Sequence, residues 1–240
     1  MNGPSQEDLF VRDAQHLLGQ AGCLNQWMAD VLEKFVGRRV LEIGSGLGHI
    51  TGHLSPRREL YVASDIDPYF RRRIEERFSA SPNVKTAQVD LLRSEDFAPF
   101  ERGLDTIICL NVLEHIDDHE SALRNMQRAL APGGRLLLLL PQGAWLYGTI
   151  DELAGHRRRY HQGELRRLLV KAGFSVERMF GFNRAGTPGW YLNGKILKRS
   201  YFGKKQLKTF DSLVWLFRRI DAFLPWPAQS IIAVAQKTAD

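Results

Sequence analysis

The run Val40 to Thr51, VLEIGSGLGHIT, decides the fold. An apolar stretch carrying one acid, Glu42, leads into glycines at alternate positions, Gly44, Gly46 and Gly48, with Ser45 between the first two. A strand that ends in such a turn and resumes as a helix usually cradles a pyrophosphate against bare backbone and a helix N-terminus. Two features oppose a phosphate here. The sixth position of a dinucleotide turn, which should be glycine, is His49. Glu42, two residues before the first glycine, would repel a pyrophosphate and suit a cation.

Outward from that turn, strand-like and helical runs alternate. ELYVASD is a second strand, PYFRRRIEERFSA a charged helix opened by Pro68, VKTAQVD a third strand and LDTIICLN a fourth. HESALRNMQRAL is a helix stopped by Pro132, Gly133 and Gly134. RLLLLLP does not alternate, so it reads as a strand buried on both faces. GELRRLLVKAG is a helix ended by Gly173, followed by the strands FSVERMFGF and SIIAVAQK. Ahead of the glycine turn, residues 5–36 read as one or two helices, from the apolar spacing of LNQWMADVLEKF. This order predicts a three-layer α/β/α sandwich around a mostly parallel sheet, with ligands beyond the carboxyl ends of the strands. The chain divides into a helical cap (1–36), a core (37–183), an insertion (184–229) and a closing strand (230–240).

Acids at the strand ends point to the ligand. Asp65 falls where a carboxylate accepts from both hydroxyls of a ribose, while Asp67 fits the N-cap of the helix begun by Pro68. Asp90 follows the third strand and suits an exocyclic amine, with Leu91 and Leu92 covering an adenine face. A ligand with a cationic end, a ribose and an adenine but no phosphate is S-adenosyl-L-methionine (SAM). At these residues the chain resembles the class I SAM-dependent methyltransferases. VLEIGSGLG, YVASDID, VKTAQVDLL, LDTIICLNVLEHIDD and RALAPGGRLLLLLP follow the order of that family's motifs over Arg39 to Pro141. The resemblance implies a seven-stranded sheet with an antiparallel last strand, SAM as methyl donor, and contacts from Glu42, Gly44, Ser45, Gly46, Gly48, Asp65, Ile66, Asp90, Leu91 and Asn111.

Methyl transfer is an in-line displacement, and a base is needed only where the acceptor carries a proton that must leave. His115 in NVLEHI is one candidate. In DELAGHRRRYHQGELRRLL, His156 and Tyr160 stand where small-molecule members of the superfamily place a histidine and an aromatic, and His161 takes the helix-cap position usually held by Ser or Thr. Arg157, Arg158 and Arg159 are either an anion clamp or a solvated basic turn, and Trp190 is a further candidate substrate contact. A related Glu-x-x-Glu-His pattern binds a divalent metal in some quinone-pathway O-methyltransferases. Here its first position is Asn111, so no metal site is expected. The acceptor expected is a small molecule, most often methylated at oxygen in such families. A nicotinamide-dependent oxidoreductase is disfavoured by Glu42 and by the lack of a Tyr-x-x-x-Lys pair, and a non-catalytic binding protein by the intact glycine turn.

The net charge of +6 has one source. Between Trp190 and Leu224 stand eight Lys/Arg and two Asp, which leaves 25 basic and 25 acidic residues elsewhere. FDSLVWLFRRIDAFL within this segment shows a helical stripe of Leu213, Leu216, Phe217, Ile220, Phe223 and Leu224. The insertion reads as a lid, as a surface for an anionic membrane or lipid-linked substrate, or as a face for a partner such as a second copy. Its charge would also permit nucleic acid, but strand four ends in LNVLEH, without the Asn/Asp-Pro-Pro-aromatic pattern of base-amino methyltransferases, so nucleic acid ranks below a small molecule. Two cysteines without ligand spacing, and a polar opening MNGPSQEDLF, suggest a cytoplasmic setting, with peripheral attachment to the inner face of the membrane as an alternative.

Overall fold

The computed structural model describes residues 12–13, 15–17, 19–199 and 203–238. Seven strands form one sheet: β1 (Arg39–Ile43), β2 (Leu60–Ser64), β3 (Val84–Ala87), β4 (Leu104–Leu110), β5 (Leu130–Pro141), β6 (Phe174–Phe182) and β7 (Ser230–Lys237). Their order is β3-β2-β1-β4-β5-β7-β6. β1 pairs in parallel with both β2 and β4, so the strand order reverses between β1 and β4 and opens a crevice beyond their carboxyl ends. β7 slots antiparallel between β5 and β6, with Leu138 facing Ala233.

The pleat sorts each strand between two apolar layers. Ile107, Cys109, Leu136, Leu138 and Leu140 meet Leu123 and Met126 of the helix His119–Ala129 and Leu165 and Leu169 of the helix Gln162–Lys171. Ile108, Leu137, Leu139, Ile232 and Val234 meet Trp27 and Leu32 of the helix Gly22–Glu33. Both faces being covered explains why RLLLLLP does not alternate. Asp67 caps the helix Pro68–Arg77 by accepting from Tyr69 N at 2.8 Å, and Asp118 caps His119–Ala129 by accepting from Ser121 N at 2.9 Å.

The N-terminal helical reading holds over Gly22–Glu33, and its stretch before Arg12 lies outside the described residues. In the insertion, the helices Lys204–Ser212 and Val214–Ile220 lie against Gly22–Glu33. Asp211 accepts from the backbone of Cys23 and Leu24, and Arg218 pairs with Asp30 at 2.7 Å. The expected single stripe is corrected here. The helix breaks at Leu213, which resets the phase, so Val214, Phe210 and Phe217 face the core while Leu213 and Phe223 are exposed.

Leu138 sits at the centre of the sheet with no exposure. Leu138→Ala is expected to lower the unfolding free energy by about 2–5 kcal/mol, read from urea denaturation, because β4, β7 and the overlying helices cannot close the gap.

Candidate active site

The turn after β1 is shaped by its neighbours. Gly44 and Gly46 have φ of 68° and 52°, a region costly for other residues. A β-carbon would stand 2.4 Å from Val112 Cγ2 at Gly44 and 2.8 Å from Gln15 Oε1 at Gly46. Three amides of the turn are used within the fold: Ser45 N donates to Ser64 O, Gly46 N to Asp65 Oδ2 and Gly48 N to Ser45 O. Gly46 N is thereby committed to a carboxylate, which disfavours a pyrophosphate at that amide. Glu42 is buried and accepts from Thr51 Oγ1 and Tyr61 Oη. Burial pushes its carboxyl up to about 7 despite those bonds. A buried, incompletely compensated carboxylate beside a bare-backbone turn fits the cationic methionine end of SAM.

Asp65 ends β2 with each oxygen accepting one amide, Gly46 N at 3.0 Å and Asp67 N at 2.9 Å. The remaining lone pairs are what a ribose would use. Asp67 is committed to its cap and to a two-point ion pair with Arg12 at 3.0 Å. Asp90 turns the chain by accepting from Leu92 N. Leu91 is a correction: its side chain enters the core near Phe97, held by Asn125 Nδ2 on its carbonyl, and Leu92 is the exposed neighbour. Ile66 is exposed beside Asp65.

A cavity of about 330 Å³ joins the turn to a second centre. Glu42, Gly44, Ser45 and Asn111 line it, as do His115, His156, Arg159 and Trp190. Asn111 ends β4 at φ 52°, a conformation Asn tolerates. Leu24, Met28, Leu110, Leu139 and Phe182 give the cavity apolar walls. Gly46, Gly48, Asp65, Ile66 and Asp90 stand outside its lining, around the ends of β1, β2 and β3.

The second centre is built on Asp151, fully buried in the short helix Thr149–Leu153. It accepts from Gly148 N at 3.0 Å, His156 Nδ1 at 2.8 Å, Arg159 Nε at 2.9 Å and Trp190 Nε1 at 3.2 Å. Burial alone would raise its carboxyl, but the His156 and Arg159 contacts outweigh it and hold it below the usual range. An ionised carboxylate has no proton to give, so His156 Nδ1 carries the hydrogen and Nε2 the lone pair. His115 Nδ1 faces Gly155 O at 3.2 Å and is fixed likewise. The two rings meet edge to face, 4.9 Å between centroids. Burial and the neighbouring His156 lower His115 to about 4.

Glu114 lies behind them, fully buried, with neither carboxylate oxygen hydrogen-bonded and Oε1 3.7 Å from His156 Nε2. Burial pushes it up to about 8. Glu114, His115 and His156 offer three ligand atoms within 4.8 Å of one another, a set that could hold a metal ion. The motif Asn111-x-x-Glu-His lacks a carboxylate, and the third donor, His156, comes from the later loop after β5.

Two candidates are corrected. Tyr160 is in the core, donating to Leu113 O at 3.2 Å and meeting His119 Nδ1 at 3.1 Å, with burial raising its hydroxyl far from any basic role. Arg157 is exposed, paired with Asp117 at 2.8 Å and donating to His115 O. Arg158 also turns outward, to Asp117 O and His119. The three arginines form no clamp, and only Arg159 reaches the cavity, stacked over Trp190 at 4.9 Å. His161 caps its helix weakly, accepting from Gly163 N at 3.4 Å. Asp151, His49 and Asn183 are site residues the motifs did not single out. The signal for Asp151 was an acid five residues before His156, beside Glu152 in the same turn.

A family model described as a methyltransferase domain matches residues 18–178. Highly reducing polyketide synthase 2 of Gibberella zeae is 32% identical over 150 residues, 56% of this chain and 6% of that protein. Ribosomal RNA small subunit methyltransferase A of Acidobacterium capsulatum is 29% identical over 155 residues, 57% of this chain and 54% of that one. The chain thus spans a small part of the synthases it matches and about half of the ribosomal RNA enzyme. In structure it is similar to the CurJ carbon methyltransferase (TM-score 0.58, 20% identity, 85% of this chain and 50% of that one). It is similar also to the citrinin polyketide synthase CMeT domain (TM-score 0.57, 16% identity, 85% and 47%). At these identities the likeness is one of fold. The family model covers more than half of the chain, and together with the β1 turn and the strand order it makes the protein a member of the class I SAM-dependent methyltransferases.

Proposed function

We propose that the protein methylates a small-molecule acceptor at oxygen, with His156 taking the acceptor's proton. One observation carries this reading: a single cavity touches both the β1 turn and the two histidines. When bound, SAM supplies an electrophilic methyl group on a sulfonium. Glu42 faces the cationic end, held in place by Thr51 and Tyr61. The apolar walls exclude water and hold the acceptor in line. His156 offers the Nε2 lone pair, and Asp151 both fixes that tautomer and stabilises the imidazolium that forms. Arg159 Nη2 has no hydrogen-bond partner and is available to an acceptor oxygen.

A second reading has a carbon acid beside a carbonyl as the acceptor. The likeness to a carbon methyltransferase supports it, and the same base would serve. The position of a labelled methyl group in the product decides between the two.

His156→Ala is expected to lower kcat with labelled SAM and a phenol panel by about 10²–10⁴-fold while leaving the affinity for S-adenosylhomocysteine unchanged. An unaltered kcat would remove His156 from the proton path. Activity is expected to survive exhaustive chelation. Its loss on chelation and return with a divalent cation would instead make Glu114, His115 and His156 a metal site.

The buried acids also set a pH dependence. Glu42 and Glu114 titrate near 7 and 8 when folded, above the 4.5 of a free Glu, so the native state binds more protons than the unfolded chain in that window. Stability without ligand therefore falls as pH rises from about 4.5 to 8. Chemical denaturation at pH 5.5 and 8.5 is expected to show this fall, and Glu114→Gln to flatten it.

A further inference from the structure

Exposed large apolar side chains are not scattered over this protein. Among the described residues, all except Ile66 and Leu92 fall between Trp145 and Trp226. Six of them form one outcrop. Trp145 precedes the helix Thr149–Leu153 and Leu153 ends it, and Tyr191, Leu192, Ile196 and Leu197 lie on the segment packed against it. The rings of Trp145 and Tyr191 are 6.0 Å apart. Thr149 Oγ1 donates to both Gly194 O and Arg199 O, which fixes the two elements to each other. Ile196 is 59% exposed and Trp145 48%, so these side chains are outside the fold's own core. The same two elements supply Ile150, Ala154 and Trp190 to the cavity wall.

The chain's charge excess lies here too. Lys195, Lys198 and Arg199 are exposed on the outcrop, followed by Lys204, Lys205 and Lys208. Both acids of the segment are turned to backbone amides, Asp211 to Cys23 and Leu24 and Asp221 to Ala185. The outward charge is therefore positive. Aliphatic residues beside tryptophan, tyrosine and lysine suit the head-group region of a bilayer, where apolar parts sink and ammonium groups stay at the phosphates. Phosphate binding on a nucleic acid would give no use to Leu192, Ile196 and Leu197. No helix among the described residues is long and apolar enough to cross a membrane.

We propose that the surface of Trp145, Leu153, Tyr191, Leu192, Ile196 and Leu197, with Lys195 and Lys198, docks on an anionic lipid bilayer. The acceptor is then an amphiphile whose reactive head group reaches the cavity from the bilayer surface. This last step rests on the reading of the cavity as the acceptor site, whereas the docking itself does not.

The test is co-sedimentation of the full chain with phosphatidylcholine vesicles, with and without about a third phosphatidylglycerol, alongside calorimetric titration of S-adenosylhomocysteine. The expected result is binding to the anionic vesicles that weakens with salt. Ile196→Glu/Leu197→Glu and Lys195→Glu/Lys198→Glu should each reduce it by about tenfold or more, with S-adenosylhomocysteine affinity unchanged. Absence of binding to anionic vesicles at low salt would overturn the proposal. So would binding that the apolar pair leaves intact and that a short RNA competes away, which would indicate a nucleic-acid surface. Vesicle binding without S-adenosylhomocysteine binding would overturn the functional reading and leave the docking standing.

Discussion

Asp151 has no access to water, and a carboxylate so placed stays ionised only if the protein supplies its hydrogen bonds. Four donors do so, and they come from different parts of the chain: the Gly148 amide, His156, Arg159 and Trp190. The loop after β5, the HRRRY stretch and the insertion are thereby held to one point. His156 receives its tautomer from this bond, and Arg159 its stacking position over Trp190. Were the carboxylate lost, a guanidinium and an imidazole would be left partly buried without their counter-charge. The geometry of the proposed base and the packing of the insertion therefore depend on a single side chain.

The cavity is acidic for the same reason that its ligand is cationic. Glu42, Glu114 and Asp151 are buried around it, and the buried guanidinium of Arg159 pairs with Asp151 and acts on Glu114. Glu42 and Glu114 relieve the imbalance by holding protons near neutral pH, while Asp151 stays ionised. Such a site favours a sulfonium at one station and a proton sink at another. The β1 turn adds selectivity, because the buried Glu42 stands beside it and Asp65 holds the Gly46 amide.

Much of this was legible in the sequence. The strands themselves follow from apolar runs that a two-sided sheet requires, and the β1 turn announces its ligand through Glu42 and its glycines. What was not legible depends on phase. In the extended stretch from His156 to Tyr160, only packing decides that Arg159 turns inward and Arg157 outward, and that Tyr160 belongs to the core. A single-residue offset likewise sends Leu91 into the core and leaves Leu92 outside. Asp151 carries no motif of its own, since its role comes from donors up to 39 residues away that the fold brings together. The break at Leu213 was hidden for a similar reason, the hydrophobic spacing of the segment being continuous across it.

The proposed function joins a donor site at β1 to a proton-accepting centre at Asp151 and His156, and a basic apolar outcrop lies on the elements that wall the cavity. The first two depend on the β1 turn holding SAM and not a nucleotide, whereas the outcrop stands independently of it. Calorimetric titration of the purified protein with S-adenosylhomocysteine, with NADH as the control and anionic vesicles present in a second series, tests that most directly. The account predicts one-to-one binding of S-adenosylhomocysteine and no heat from NADH. Binding of NADH, or silence from S-adenosylhomocysteine both with and without vesicles, would contradict it.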